Sequence, residues 1–92
     1  MKKLYVVGIG TGEYDMMTGR AIAALQSADV IVGYQVYTEL VKEYFPGKEI
    51  MTTPMRQEVE RCRMAVREAA QGRVVAMISS GDAGIYGMAG LM

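Results

Sequence analysis

Histidine is absent from this 92-residue chain, and cysteine occurs once, as Cys62. Without histidine the commonest zinc ligand and proton-transfer group is missing, and a single cysteine permits neither an internal disulfide nor a Cys-rich zinc site. A surplus of charge of one sign is missing too, since ten Lys and Arg balance ten Asp and Glu. Binding to phosphate backbones or acidic membrane surfaces draws on such a surplus, so the balance argues against a general nucleic-acid or membrane-surface binder. Nor does any apolar run approach the roughly twenty residues of a membrane span. Met1-Lys2-Lys3 leads into the apolar run Leu4 to Gly8 with no small-residue cleavage site after it, which is not the pattern of a secretory signal. These absences predict a cytoplasmic protein with no nucleic-acid and no membrane partner. A chain of this length buries roughly 64% of its extended surface, enough for one modest core and no second domain.

What is present is a rhythm. Leu4-Tyr5-Val6-Val7-Gly8 reads as a strand covered on both faces. Thr18 caps a predicted helix in which Ile22 and Leu25 recur at helical spacing among Ala21, Ala23, Ala24 and Ala28. Val30-Ile31-Val32 is a β-branched strand closed by Gly33. Val36, Tyr37, Leu40, Val41 and Tyr44 predict an amphipathic helix over 35–45, ended by Pro46-Gly47. Glu49-Ile50-Met51 is a weaker strand. Thr53-Pro54 reads as the start of a helix whose apolar face comprises Met55, Val59, Cys62, Val66 and Ala69 or Ala70. Gly72 ends it, and Val74 to Ile78 is the last strand. Four strands alternating with three helices predict an α/β layer structure with a parallel sheet. On this reading Cys62 is an inert core thiol.

The final seven residues resemble the first turns of an apolar helix without a polar terminator. They predict that the chain is the N-terminal part of a larger protein, with an exposed apolar face where the remainder docks.

Two glycine-rich segments carry the chemical signal. Gly8-Ile9-Gly10-Thr11-Gly12 comes directly after the first strand, where glycines permit a tight turn and expose backbone N–H groups. The spacing departs from the dinucleotide fingerprint G-x-G-x-x-G, and no acidic residue closes the second strand. Gly-Lys-Ser/Thr is absent, which excludes a P-loop. Ser79-Ser80-Gly81-Asp82-Ala83-Gly84 lies at the carboxyl end of another predicted parallel strand, the edge where open α/β sheets bind ligands. Asp82 either orients a ligand amine or hydroxyl or caps the predicted helix after it. Ser79 and Ser80 have no histidine to activate them, so a hydrolase triad is not supported. Tyr34, Tyr37, Tyr44 and Phe45 read as core and rim of a helix, with a platform for a flat ligand as the alternative. Nine Met residues suit core gaps or an apolar ligand surface. Arg56, Arg61, Arg63, Arg67 and Arg73 are either a solvated face or partners for an anionic small molecule.

Both glycine segments point the same way. The chain resembles the N-terminal domain of the S-adenosylmethionine-dependent tetrapyrrole methylases, which run from a first strand into G-x-G-P-G and reach G-D-P after a later strand. Here Thr11 and Ala83 stand where those patterns carry proline. Val30-Ile31-Val32-Gly33-Tyr34 with Tyr37, the stretch Glu58 to Arg63, and Ser79 to Ala89 resemble in particular the branch that methylates precorrin-3B at C17. The resemblance implies a parallel-sheet, three-layer α/β N-terminal domain of the tetrapyrrole methylase fold, here truncated, with a second domain absent.

It further implies S-adenosyl-L-methionine in a cleft between two domains. Ser80, Gly81, Asp82, Ala83, Gly84, Ile85 and Tyr86 would be its contacts here, and Gly8, Gly10, Thr11 and Gly12 would face the tetrapyrrole. The implied substrate is precorrin-3B or cobalt-factor III, methylated with ring contraction, and the implied assembly is a homodimer of the full-length protein. An electron-rich macrocycle carbon taking a sulfonium methyl in line needs positioning and exclusion of water, not a nucleophilic side chain. No acid or base for ring contraction is evident, Glu13 and Asp15 being the candidates on the first loop. The competing expectations are a sister methylase with another acceptor, and a small α/β nucleotide-binding module complete at this length.

Overall fold

In the computed structural model the described residues are 3–10, 13, 15, 17–54, 57–79 and 84–87. Their element order is β1 (Lys3–Gly8), α1 (Gly19–Ser27), β2 (Val30–Tyr34), α2 (Gln35–Val41), β3 (Glu49–Thr53), α3 (Glu58–Ala70), β4 (Val74–Ser79) and β5 (Gly84–Gly87). One sheet holds all five strands in the order β3-β2-β4-β1-β5. The first four run parallel and β5 pairs antiparallel with β1 at the edge.

Alternation along the strands sorts side chains to two faces. Val7, Ile31, Ala76 and Ile78 meet Ala21, Ala24 and Leu25 of α1, Val41 at the end of α2 and Phe45 in the turn beyond it. Leu4, Val30, Val32 and Val75 meet Ala65 and Ala69 of α3 on the other face. The result is the expected three-layer α/β arrangement, with two helices on one side and one on the other. Handedness accounts for the split. The chain moves along the sheet in one direction from β1 through β2 to β3 and then reverses to β4, so right-handed crossovers put α3 opposite α1 and α2.

Local signals hold at several ends. Thr18 is extended, and its Oγ1 accepts a hydrogen bond from the Ala21 N–H at 3.1 Å, as an N-cap should. Gly72 has φ 91° and donates its N–H to the Ala69 carbonyl at 2.9 Å, closing α3 in the left-handed conformation that glycine adopts without strain.

Other expectations are corrected. The second strand does not close at Gly33 but runs through it to Tyr34, because Gly33 is a packing position rather than a breaker. Thr53 and Pro54 do not open a helix: Thr53 ends β3, and α3 begins at Glu58. Of the seven residues expected to begin an apolar helix, Tyr86 and Gly87 are strand, since the open edge of β1 offers them backbone partners; Met88 to Met92 lie outside the described residues. So do Met55 and Arg56.

The largest correction concerns α3. Of the expected apolar face Ala69 is buried, but the rest of its described residues are turned outward: Cys62 is exposed, Val59 is 68% exposed and Val66 is exposed as well. Arg61, Ala65, Glu68 and Ala69 face the sheet instead. Two polar contacts fix that rotation. Arg61 Nη1 donates to Thr53 Oγ1 at 2.7 Å near the start of the helix, and Arg73 Nη1 donates to Glu68 Oε1 at 2.7 Å near its end. Between them the small Ala65 and Ala69 let the helix sit close on the strands. Cys62 should therefore react in the folded protein with a water-soluble thiol reagent at close to the rate of a free thiol. Protection until denaturant is added would show that its side of α3 is covered.

The helix expected over 35–45 stops at Val41, and its apolar stripe is also divided. Thr38, Val41 and Phe45 are buried, whereas Val36, Leu40 and Tyr44 are exposed. Exposed apolar residues thus occur on both helical layers.

Candidate active site at the carboxyl edge of the sheet

Four parallel strands place Gly8, Tyr34, Thr53 and Ser79 along one edge. Gly8 is the meeting point. It registers with Ser79 of β4 on one side and with Gly84 of β5 on the other. The end of β4 and the start of β5 therefore stand on either side of the strand that carries the first glycine segment. Strand spacing puts them about 10 Å apart. Residues far apart in sequence, Gly8, Ser79 and Gly84, share one place because β1 is inserted between β4 and β5.

Backbone geometry fixes the first segment. Ile9 donates its N–H to the Ser79 carbonyl at 3.0 Å, extending the β1–β4 ladder by one bond, and its side chain is fully buried. Gly10 then turns with φ 59°, a left-handed conformation costing a residue with a Cβ about 1–2 kcal/mol. Glycine at position 10 lets the chain leave the sheet there without that cost.

Of the residues expected to face the tetrapyrrole, Gly8 and Gly10 are at this edge, whereas Thr11 and Gly12 lie outside the described residues. Of the expected cofactor contacts, Gly84, Ile85 and Tyr86 form β5 beside β1, with Gly84 opposite Gly8. Ser80, Gly81, Asp82 and Ala83 lie outside the described residues. Glu13 and Asp15 are both exposed. Ile9 was not singled out by the sequence, although an apolar residue between two glycines is the natural anchor for such a turn.

The opposite edge holds structural charge. Asp29 donates its N–H to the Val74 carbonyl at 2.7 Å, while its Oδ2 accepts the Val74 N–H at 2.8 Å. Its own carbonyl accepts from Glu49 N–H at 3.2 Å, so one residue ties the starts of β2, β3 and β4. Arg73 bridges Glu49 at 3.2 Å and Glu68 at 2.7 Å. The hydrogen bond to Glu49 is the main cause holding the Arg73 guanidinium above its ordinary pKa; burial opposes it and Glu68 adds to it. These groups pin strand starts and are remote from the glycine edge. Among the described residues no cluster of His, Cys, Asp and Glu could hold a metal ion, and no helix is long and apolar enough to cross a membrane.

The family model for Tetrapyrrole (Corrin/Porphyrin) Methylases matches residues 3–92. A Salmonella typhimurium protein named "Probable cobalt-factor III C(17)-methyltransferase" is 55% identical over 89 residues, covering 97% of this chain and 37% of that protein. The "Cobalt-factor III methyltransferase" of Priestia megaterium is 48% identical over 90 residues, covering 98% of this chain and 17% of the relative. Among solved structures, the methyltransferase CobJ superposes with a TM-score of 0.74 at 39% identity, over 84% of this chain and 32% of its own. The cobalt precorrin-4 methyltransferase CbiF gives 0.69 at 27% identity, over 86% of this chain and 34% of its own. The chain thus spans little more than a third of these relatives, or less. On the match across residues 3–92 and the shared fold, the chain belongs to the tetrapyrrole (corrin/porphyrin) methylases.

Proposed function

We propose that this chain is the N-terminal domain of a methyltransferase of cobalamin biosynthesis that transfers a methyl group from S-adenosylmethionine to C17 of cobalt-factor III or precorrin-3B, with ring contraction. The observation that carries the reading is the convergence on Gly8 of the first glycine segment and the β4 and β5 ends flanking Ser80 to Ala83, in a chain 55% identical to a protein named for that step. The residues fit such ligands. Glycines at 8, 10 and 84 contribute no side chains to this edge, which favours close approach of a cofactor and a flat macrocycle to the backbone. Ser80 to Tyr86 would hold the cofactor, and Gly8, Gly10, Thr11 and Gly12 would border the macrocycle.

S-adenosylmethionine, when bound, supplies the electrophilic methyl group. This chain's part is to bind, orient and exclude water, with the acceptor carbon held in line. The rest of the cleft would come from a second domain, in a cytoplasmic homodimer. Isothermal titration of S-adenosylmethionine and S-adenosylhomocysteine into the protein from its complete open reading frame, with these 92 residues as control, tests the reading. Binding is expected for the complete protein and should be weak or absent for the 92 residues. Asp82→Ala in the complete protein should weaken binding by roughly tenfold, the value of a hydrogen bond to a charged group. No binding by the complete protein would remove the assignment.

A further inference from the structure

The carboxyl ends of β2 and β3 are neighbours, yet the chain leaves them in opposite directions. From β2 it enters α2 on one face of the sheet, and from β3 it passes to α3 on the other. Such divergence opens a crevice between two strand ends, which is where open α/β sheets seat ligands. Tyr34 ends β2 and is the register partner of Thr53, which ends β3. Alternation from Val32 and Met51 puts both on the α3 side. Thr53 Oγ1 accepts from Arg61 Nη1 at 2.7 Å, so a guanidinium is held at the end of the adjacent strand. Tyr37, in the first turn of α2, meets Tyr34 edge to face, with ring centroids 5.4 Å apart and planes at 83°.

Neither ring is fully buried, although Tyr37 packs against the edge of the α1–α2 core. Both rings are half-buried, and neither hydroxyl makes a hydrogen bond among the described residues. In an edge-to-face pair each ring also keeps at least one face that the other does not cover.

We infer that Tyr34, Tyr37 and Arg61 form a wall that contacts the acceptor macrocycle: the tyrosine rings take its flat apolar body, and Arg61 takes a peripheral carboxylate. The chemistry matches a conjugated ring with an anionic rim, since aromatic contact and a charge-assisted hydrogen bond are supplied side by side. The inference rests on the proposed function and adds to it the residues that grip the acceptor, at strand ends other than those of the glycine segments.

The test uses the protein from the complete open reading frame, with cobalt-factor III as probe. Tyr34→Leu and Tyr37→Leu, made separately, should each raise KM for cobalt-factor III by roughly tenfold. Affinity for S-adenosylmethionine should stay within about twofold, because the cofactor is assigned to the β4–β5 side. Tyr34→Phe and Tyr37→Phe keep the aromatic ring and should raise KM much less than the leucine variants. Arg61→Gln should raise KM and flatten its dependence on ionic strength, which loss of the Thr53 contact alone would not do. Tyr37 packs against the α1–α2 core, so thermal unfolding is followed for each variant, and Tyr34→Leu gives the reading that does not depend on that packing. Unchanged KM in folded leucine variants overturns the inference, as does an equal loss of cofactor and acceptor affinity. If the wild-type protein neither binds S-adenosylmethionine nor methylates cobalt-factor III, the functional reading itself falls. Wild-type turnover with unaffected variants removes the wall alone.

Discussion

Gly33→Ala should destabilise the protein by about 3 kcal/mol, at the upper end of what overpacking a core normally costs. A Cβ built at position 33 lies 2.5 Å from Ile78 Cγ1, 3.1 Å from Ile78 Cδ1 and 3.3 Å from Thr38 Cγ2. Neither neighbour yields cheaply. Ile78 is buried and β-branched, so its χ1 is stiff, and the Thr38 hydroxyl is committed to the Gln35 carbonyl at 3.0 Å. Relief would require β2 or α2 to move, and Gly33 sits between Val32, paired with Met77, and Tyr34, paired with Thr53. Urea unfolding of Gly33→Ala, Ile78→Ala and the double variant isolates the clash. Ile78→Ala alone should cost about 2–5 kcal/mol through its cavity. The double variant should lose clearly less than the sum, because the new methyl occupies vacated space. Strict additivity would place the cost of Gly33→Ala somewhere other than Ile78.

That glycine also shows what a sequence conceals. After Val30-Ile31-Val32 a glycine reads as a stop, yet here its missing side chain makes room for Ile78 of β4 and Thr38 of α2, and β2 continues to Tyr34. Runs of β-branched and apolar residues are enough to locate the four parallel strands, and Thr18, Gly47 and Gly72 mark turns through hydroxyl capping or positive φ. The rotation of α3 is not legible in the same way. Val59, Cys62 and Val66 are more apolar than the Arg61, Ala65 and Glu68 face, so hydrophobic spacing favours the wrong side. The choice is made by partners distant in sequence, Thr53 for Arg61 and Arg73 for Glu68, and by the closeness that alanines allow. Gly84 to Gly87 misleads for a related reason: a short glycine-bounded segment has little preference of its own and becomes a strand where β1 offers an open edge. Both glycine segments of the candidate site are visible as composition. Their convergence on Gly8 is not, because it depends on strand order.

Ile9→Ala carries the other large effect and joins the core to the candidate site. Ile9 is fully buried with Val7, Met17 and Leu25, so truncation to alanine should cost about 2–5 kcal/mol, while Ile9→Val should cost about 0.5–1.5 kcal/mol. The more informative consequence is local. Among the described residues of the first glycine segment, Ile9 is the last held by both its side chain and its backbone, through the hydrogen bond to Ser79. Gly10 immediately after it contributes no side chain that could hold the turn. Loosening Ile9 should therefore disturb both segments that meet at Gly8, even in variants that remain folded. In the complete protein, Ile9→Ala assayed well below its unfolding midpoint should bind S-adenosylmethionine and cobalt-factor III more weakly, whereas Ile9→Val should retain both. Hydrogen exchange gives an independent readout, since the Ile9 amide should lose protection in Ile9→Ala before the amides of β2 do. Uniform loss of protection across the sheet would mean that Ile9 supports the fold as a whole. Loss confined to the carboxyl ends of β1 and β4 would identify it as the anchor that keeps the two glycine segments together.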